Sequence, residues 1–361
     1  MHTKKAAAVA LAAALGVTSL AACSTEDVRD AAGKSGSPAP KTVTLVSHDS
    51  FNASKEVLAE FTKQTGFTVK VLKAGDAGEA VNKEILTKGS PQGDVFFGVD
   101  NTLLSRAVEN GIFETYEAKG ADRIPAGFKL DKRVTPIDTG DICVNYDKKY
   151  FADKKLAPPQ SFDDLAKPEY KDLLVVENPE RSSPGLGFLL GTVAKYGDAG
   201  WQDYWSKLKA NGVKTVDSWE LAYNQEFSGS AGGKEAKGDR PLVVSYASSP
   251  PVEVLYAEPQ PKEAPTGVST GTCFRQVEFA GLLSGAKNPE GGKALIDFLI
   301  SKKFQHDMPL HMFVNPVAKD ATLPELFTKH GVVVEKPETM APEKIAEKRE
   351  AWIQQWSSLL K

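Results

Sequence analysis

The chain has 361 residues, a formal net charge of −3 and three cysteines. That length is enough for two domains. The mild acidity, with no block of Lys or Arg, argues against nucleic acid as a partner. After the N-terminal apolar run, no stretch reaches the roughly 20 apolar residues that a membrane span needs.

In chain order, Lys4 and Lys5 precede an Ala-rich apolar run over 6–15. These are the charged and hydrophobic regions of an export signal, and the run is too short to span a bilayer. Leu20-Ala21-Ala22-Cys23 closes the segment. A Cys directly after Leu-Ala-Ala resembles the lipobox of bacterial lipoproteins. The resemblance implies a signal peptide over 1–22, a diacylglyceryl group on Cys23, and a protein that works outside the cytoplasm, anchored to a membrane by lipid. The alternative is a soluble secreted chain with a Cys near its cleavage site. Losing Lys4 and Lys5 with the signal takes the net charge from −3 to −5. Residues 24–40 are polar, small and rich in Pro and Gly, the composition of a flexible leash. With Cys23 assigned to lipid, Cys143 and Cys273 remain. In an exported chain they are expected to form one disulfide, the alternative being two separate buried thiols.

The folded part is expected from residue 41. Thr42–Ser47 is β-branched and strand-like. Val57, Leu58 and Phe61 at helical spacing predict a helix over 54–64, followed by a strand over 67–72 and a helix over 80–86. A short buried strand over 94–98 leads to a helix near 103–110. Alternating strands and helices predict a parallel sheet covered by helices. Further on, strands are predicted over 141–146, 173–177, 242–245 and 270–279. Helices are predicted over 162–166 with Ser161 as N-cap, and over 185–196, 201–211, 248–256 and 291–300. Pro342–Leu360 places Ile345, Trp352, Trp356 and Leu359 along one side, an amphipathic closing helix. No internal repeat is present. The pieces predict an α/β protein of two lobes. Lobe 1 takes 41–140 with a return segment near 274–330. Lobe 2 takes 141–273 with the C-terminal helix near 331–361.

Six motifs then line up in order: His48-Asp49-Ser50-Phe51; Asp94-Val95-Phe96-Phe97-Gly98-Val99-Asp100-Asn101; Arg181-Ser182-Ser183-Pro184-Gly185-Leu186-Gly187; Trp219-Glu220-Leu221-Ala222-Tyr223; Ser245-Tyr246-Ala247-Ser248-Ser249-Pro250; and Arg349-Glu350-Ala351-Trp352-Ile353-Gln354-Gln355-Trp356. Together they resemble the thiamine-binding proteins of bacterial ABC importers, over nearly the whole mature chain. The resemblance implies a type II periplasmic-binding-protein fold, with each lobe a mixed sheet flanked by helices and the ligand in the cleft between them. It implies a monomer that hands thiamine, thiamine monophosphate or thiamine diphosphate to a membrane permease. No cofactor, metal or catalysis is expected. A pyrimidine precursor is a further candidate ligand.

Thiamine is a permanent cation with two flat rings, so its pocket needs aromatic faces, carboxylates and donors for the polar tail. Trp219 stands among polar neighbours, and the resemblance gives it a ring-stacking role. Tyr223 lies four residues on, on the same side if the segment is helical. Ser182 and Ser183 precede Pro184 at a helix start, where free N–H groups hold anions or hydroxyls. The resemblance assigns ligand contact to them, to Asp76 with Ala77, and to Tyr246, Ala247, Ser248 and Ser249. Asp49 is a second carboxylate, with helix capping an equal explanation. His48 and Val252 stand where the family tends to have Tyr, and Phe313 where it has Trp. Ala247 replaces a Thr, which removes one hydroxyl. The pocket is then less aromatic, and His48 brings pH sensitivity. The nearest rival is a ferric-iron binder of the same fold, but such proteins use adjacent tyrosines and none of the nine Tyr here are adjacent. The rival of another class is an exported hydrolase. The sequence lacks His-Glu-x-x-His and a Walker loop, and His306, His311 and His330 have no partner at metal-ligand spacing.

Overall fold

The computed structural model describes residues 41–361; the expected signal segment, Cys23 and the leash 24–40 lie outside the described residues. The strands are β1 (Thr42–Ser47), β2 (Thr68–Lys73), β3 (Val95–Asp100), β4 (Thr135–Asp147), β5 (Leu174–Glu177), β6 (Lys214–Val216), β7 (Leu242–Tyr246), β8 (Thr266–Leu282) and β9 (Asn315–Pro316). They form one sheet in the order β2-β1-β3-β8-β4-β7-β5-β6, with β9 added on β4. Pairing is parallel among β1, β2 and β3, and again among β5, β6 and β7. Both groups hang on β4 and β8, which are long, antiparallel and paired with each other. This gives two α/β halves joined by a pair of shared strands. The expected strands over 141–146 and 270–279 are only the second half of β4 and the middle of β8.

Local chemistry explains the elements. Ser54 caps the helix Lys55–Thr65, its hydroxyl accepting the Val57 N–H at 3.0 Å, and Gly66 ends that helix in the left-handed region. Ser161 and Asp164 form a reciprocal capping box on the helix Phe162–Leu165. The two helices expected over 185–196 and 201–211 are both found within Ser183–Ala210, separated by the non-helical backbone of Gly197. The closing helix Pro342–Leu360 buries Ile345, Trp352, Ile353 and Trp356. It packs on Ser183–Ala210 and on Leu104–Glu109, with Trp356 edge-on to Trp205 at 5.5 Å. Elements not foreseen include the helices Lys148–Lys154 and Lys302–His311 and a wide turn of π-helix over Ala222–Glu226.

Cys143 in β4 and Cys273 in β8 are bonded, with S–S 2.04 Å and Cα atoms 4.2 Å apart. The bridge spans 130 residues of sequence. Closing so long a loop restricts the unfolded chain and stabilises by roughly 2–4 kcal/mol.

One glycine fixes the start of the cleft. Gly98 sits at φ 102° where the β3–β8 register shifts between Phe97 and Val99. A methyl group there would overlap Cδ2 of His48, whose ring also lies 5.6 Å from that of Phe97. Both left-handed strain and the clash oppose a side chain at this position. Gly98→Ala is therefore expected to lower stability by about 1–3 kcal/mol in urea denaturation. Gly127→Ala, with open space around it and no left-handed φ, should stay within roughly 0.5 kcal/mol of the unchanged chain.

Candidate functional site

A cavity of about 510 Å³ opens between the two halves. From the first half it is lined by His48 to Asn52 after β1, Lys73, Asp76 and Ala77 after β2, Glu278 of β8, and His311 to Val314. From the second half come Ser183 and Pro184 at a helix start, Trp219 to Asn224 in part, Ala231, Gly232, and residues of the segment from Tyr246 to Tyr256.

Asp76 has a more specific task than its Gly-rich turn suggested. It is the N-cap of Ala77–Leu86, accepting the Ala77 N–H at 2.6 Å. Its other oxygen accepts the backbone N–H of Trp219 at 2.9 Å, from the opposite half. Two more bonds cross the cleft nearby: the Glu79 N–H donates to the Arg181 carbonyl at 3.2 Å, and the Ser50 hydroxyl to Glu220 at 3.1 Å. Burial raises the Asp76 pKa, while the Trp219 and Ala77 N–H groups and His48 pull it down. Asp49 does not cap the following helix, since Ser54 does. Its carboxylate instead accepts the Gly75 N–H at 3.1 Å and so shapes the Asp76 turn.

Trp219 begins a short helical turn capped by Ser218. Its indole N–H donates to the Ser245 hydroxyl at 3.0 Å, and Ser245 and Ser249 hydroxyls are 2.9 Å apart. Tyr223 is stacked on Trp219, ring centres 5.0 Å apart and 16° from parallel. The Tyr223 hydroxyl donates to buried Glu253 at 3.0 Å, and Glu253 also accepts the Ala231 N–H. One face of Trp219 is thus occupied by Tyr223, and the indole is held at a fixed tilt of 53° to Tyr246. Across the cavity, Phe313 has a left-handed backbone, φ 57°, an uncommon conformation for a bulky residue. It lies parallel to Phe327, ring centres 6.3 Å apart, and edge-on to Tyr256 at 6.0 Å.

Of the residues singled out in the sequence, His48, Asp49, Asp76, Ala77, Ser183, Trp219, Tyr223, Tyr246, Ser249, Val252 and Phe313 line this one cavity. Ser182, Ala247 and Ser248 do not. Ser182 is the buried N-cap residue of Ser183–Ala210, beside Asp76. Ala247 faces the other way, packed with the Cys143–Cys273 bridge and Val334. Ser248 is buried with no partner for its hydroxyl.

Sequence reasoning missed Glu278, Glu253, Glu220, Lys73 and Tyr256, all lining residues. A signal existed for Glu278: a lone acid in the apolar run Val277 to Leu282 is a residue that needs a reason. Lys73 is the only Lys or Arg among the lining residues, against the five acids Asp49, Asp76, Glu220, Glu253 and Glu278. The wall is anionic and aromatic, which suits a flat cation. One hydrolase-like pattern, Gly267-Val268-Ser269-Thr270-Gly271, does occur. It falls inside β8 rather than on a strand-to-helix elbow, and Ser269 is fully buried with its hydroxyl donating to the Pro159 carbonyl.

Two halves on shared strands around a lined cleft define a solute-binding protein. A model of the bacterial extracellular solute-binding protein family matches residues 90–248. The thiamine-binding periplasmic protein of Escherichia coli K12 is 31% identical over 326 residues, covering 88% of this chain and 93% of that one. The protein of the same description from Brucella suis is 28% identical, with coverage of 88% and 92%. A solved structure described as a periplasmic thiamin binding protein superposes with a TM-score of 0.76 at 27% identity, over 91% of this chain and 99% of that one. The chain belongs to the family of the thiamine-binding periplasmic proteins, within the bacterial extracellular solute-binding proteins. It is a binding protein and not an enzyme. Among the described residues no helix is long and apolar enough to cross a membrane.

Asp76→Ala should remove both the cap and the link to Trp219. The expected loss is about 1 kcal/mol for the cap alone, and more in total, by urea denaturation. Asp76→Asn, which keeps one acceptor oxygen, should lose less.

Proposed function

We propose that this protein captures thiamine, or its mono- or diphosphate, outside the cytoplasm and delivers it to the permease of an ABC importer. The observation that carries the reading is the cavity's composition: a fixed indole, a second aromatic wall at Phe313 and Tyr256, and five carboxylates against one lysine. A thiazolium cation gains roughly 0.5–2 kcal/mol over an aromatic face as it loses water. Its charge is offset by Glu278 first, because both oxygens of Asp76, Glu220 and Glu253 already accept hydrogen bonds from the protein. The free N–H groups opening Ser183–Ala210, with the Ser183 hydroxyl, suit the hydroxyl or phosphate tail. Tyr246 and Ser249 complete that end.

In this reading the halves act as the two lobes, 41–140 with 274–330 and 141–273 with 331–361, and close about β4 and β8. The bonds from Asp76, Glu79 and Ser50 to the opposite half are those that closure makes. The protein works as a monomer tethered through lipid on Cys23. Labelled palmitate fed to producing cells should enter the protein and be lost in Cys23→Ala; label retained by that variant would remove the anchor.

Calorimetry with thiamine and both phosphates tests the ligand directly. Saturable binding of at least one is expected, and no binding of any would defeat the assignment. Trp219→Ala should weaken binding by roughly 1–3 kcal/mol, taking base stacking on an aromatic residue as the guide. Unchanged affinity would take Trp219 out of the ligand's reach.

A further inference from the structure

Three acids form a row at and beneath the cavity floor, and of these only Glu278 has so far been given a task. Asp100 ends β3, Glu278 lies in β8 and Asp138 in β4. In the sheet register Asp100 is opposite Glu278, and Glu278 is opposite Asp138. All three are buried, Asp100 and Asp138 with no exposure at all. Three like charges in one row across adjacent strands would repel strongly in so dry a place.

Their partners differ, and the difference distributes the charge. Asp100 is well served. One oxygen accepts from the Thr102 N–H, the Thr102 hydroxyl and the Leu103 N–H, and the other from the Gln276 amide at 2.9 Å. Glu278 is the only one of the three that lines the cavity, and it faces His48 Nε2 at 3.4 Å. Asp138 has no donor within reach of either oxygen; its neighbours are Glu278 and Asp100. Burial and the neighbouring carboxyls of Glu278 and Asp100 hold the Asp138 pKa well above the ordinary carboxylate value. The charged and titratable groups around the row are few. His48 faces Glu278, Asp76 and Asp49. Glu278 faces His48, Asp138, Asp100 and the Tyr246 hydroxyl. Burial disfavours a charge on the His48 ring, but the surrounding carboxylates outweigh it and hold its pKa above the ordinary value.

We propose that the cavity exchanges a proton for its cation: a cationic ligand settling against Glu278 takes the place of the His48 charge, and the His48 ring proton passes to water. Asp138, out of the ligand's reach, is a positioning residue whose carboxyl O–H stays on Asp138 and donates a hydrogen bond to Glu278, holding that side chain in place. The charges balance, one cation in and one proton out. The inference rests on the thiamine reading for the identity of the cation. The sign follows from His48. Below its raised pKa the ring is protonated and must release its proton, so affinity climbs with pH. Above that pKa the ring is already neutral and affinity levels off.

Two measurements test this. The first uses the ligand-free full chain: an infrared difference between it and Asp138→Asn should show the carbonyl stretch of one neutral carboxylic acid near neutral pH. Absence of that band overturns the role of Asp138 whatever the ligand proves to be. The second is thiamine calorimetry near pH 6.5, the ordinary histidine pKa, in buffers of different ionisation heat. Release of up to one proton is expected, with affinity rising as much as about tenfold per pH unit on the acid side. His48→Gln should abolish the release and flatten the profile, and Asp138→Asn should bind more tightly than Asp138→Leu because the amide still donates. Binding with no buffer dependence, or release that persists in His48→Gln, overturns the exchange. An absence of thiamine binding defeats the ligand reading, and the infrared band then decides the floor separately.

Discussion

The antiparallel pairing of β4 with β8 is the constraint on which the rest of the molecule depends. These strands are 13 and 17 residues long, and each serves both halves. Near one end β8 pairs with β3, and near the other β4 pairs with β7. The Cys143–Cys273 bridge fastens the two strands to each other. Register shifts at Pro136–Asp138 and at Ile142–Val144 bend the pair where it passes from one half to the other. The same register brings Glu278 and Asp138 side by side under the cleft. A slip of one residue would turn every side chain of the strand to the opposite face, destroying the cores and the floor together.

From that spine the cleft is assembled by contacts that are weak singly and specific in combination. Asp76 shows how. One carboxylate starts a helix in the first half and receives the N–H of Trp219 in the second, so a local cap becomes a connection between halves. Trp219 in turn is fixed by Ser245 and by stacking on Tyr223, whose hydroxyl is held by Glu253. The indole therefore meets the cavity already ordered, without the entropy cost of being fixed on binding. Glu220 and Glu253 spend part of their acceptor capacity on Ser50, Asn224, Tyr223 and Ala231, which keeps them at the wall as oriented acceptors.

Much of this frame was legible in the sequence, and the reasons are physical. Thr42–Ser47 and Pro342–Leu360 have the expected limits because β-branched alternation and an amphipathic stripe opened by a proline are local signals. Ser161 is the N-cap its sequence suggested. The two helices expected over 185–196 and 201–211 are both present, parted at Gly197, whose positive φ is a stop that the sequence shows. The π-turn over Ala222–Glu226 left no periodic trace. In the cavity, eleven of the lining residues are ones that the sequence singled out. It could not tell that Ala247 turns toward the disulfide and Ser182 lies beneath the surface, because adjacent residues of a turn face opposite ways. Glu278, Asp138 and Asp100 come together only through strand pairing across more than a hundred residues, which no local pattern carries.

The central claim is that an anionic, aromatic cleft recognises a flat ligand by its positive charge as well as by its shape. The most direct test compares the affinity of thiamine with that of an analogue in which an uncharged thiophene replaces the thiazolium ring. The account predicts that the neutral analogue binds at least about tenfold more weakly, roughly 1.4 kcal/mol, with the gap narrowing in Glu278→Gln. Equal affinity for the two compounds in the unaltered protein would contradict it.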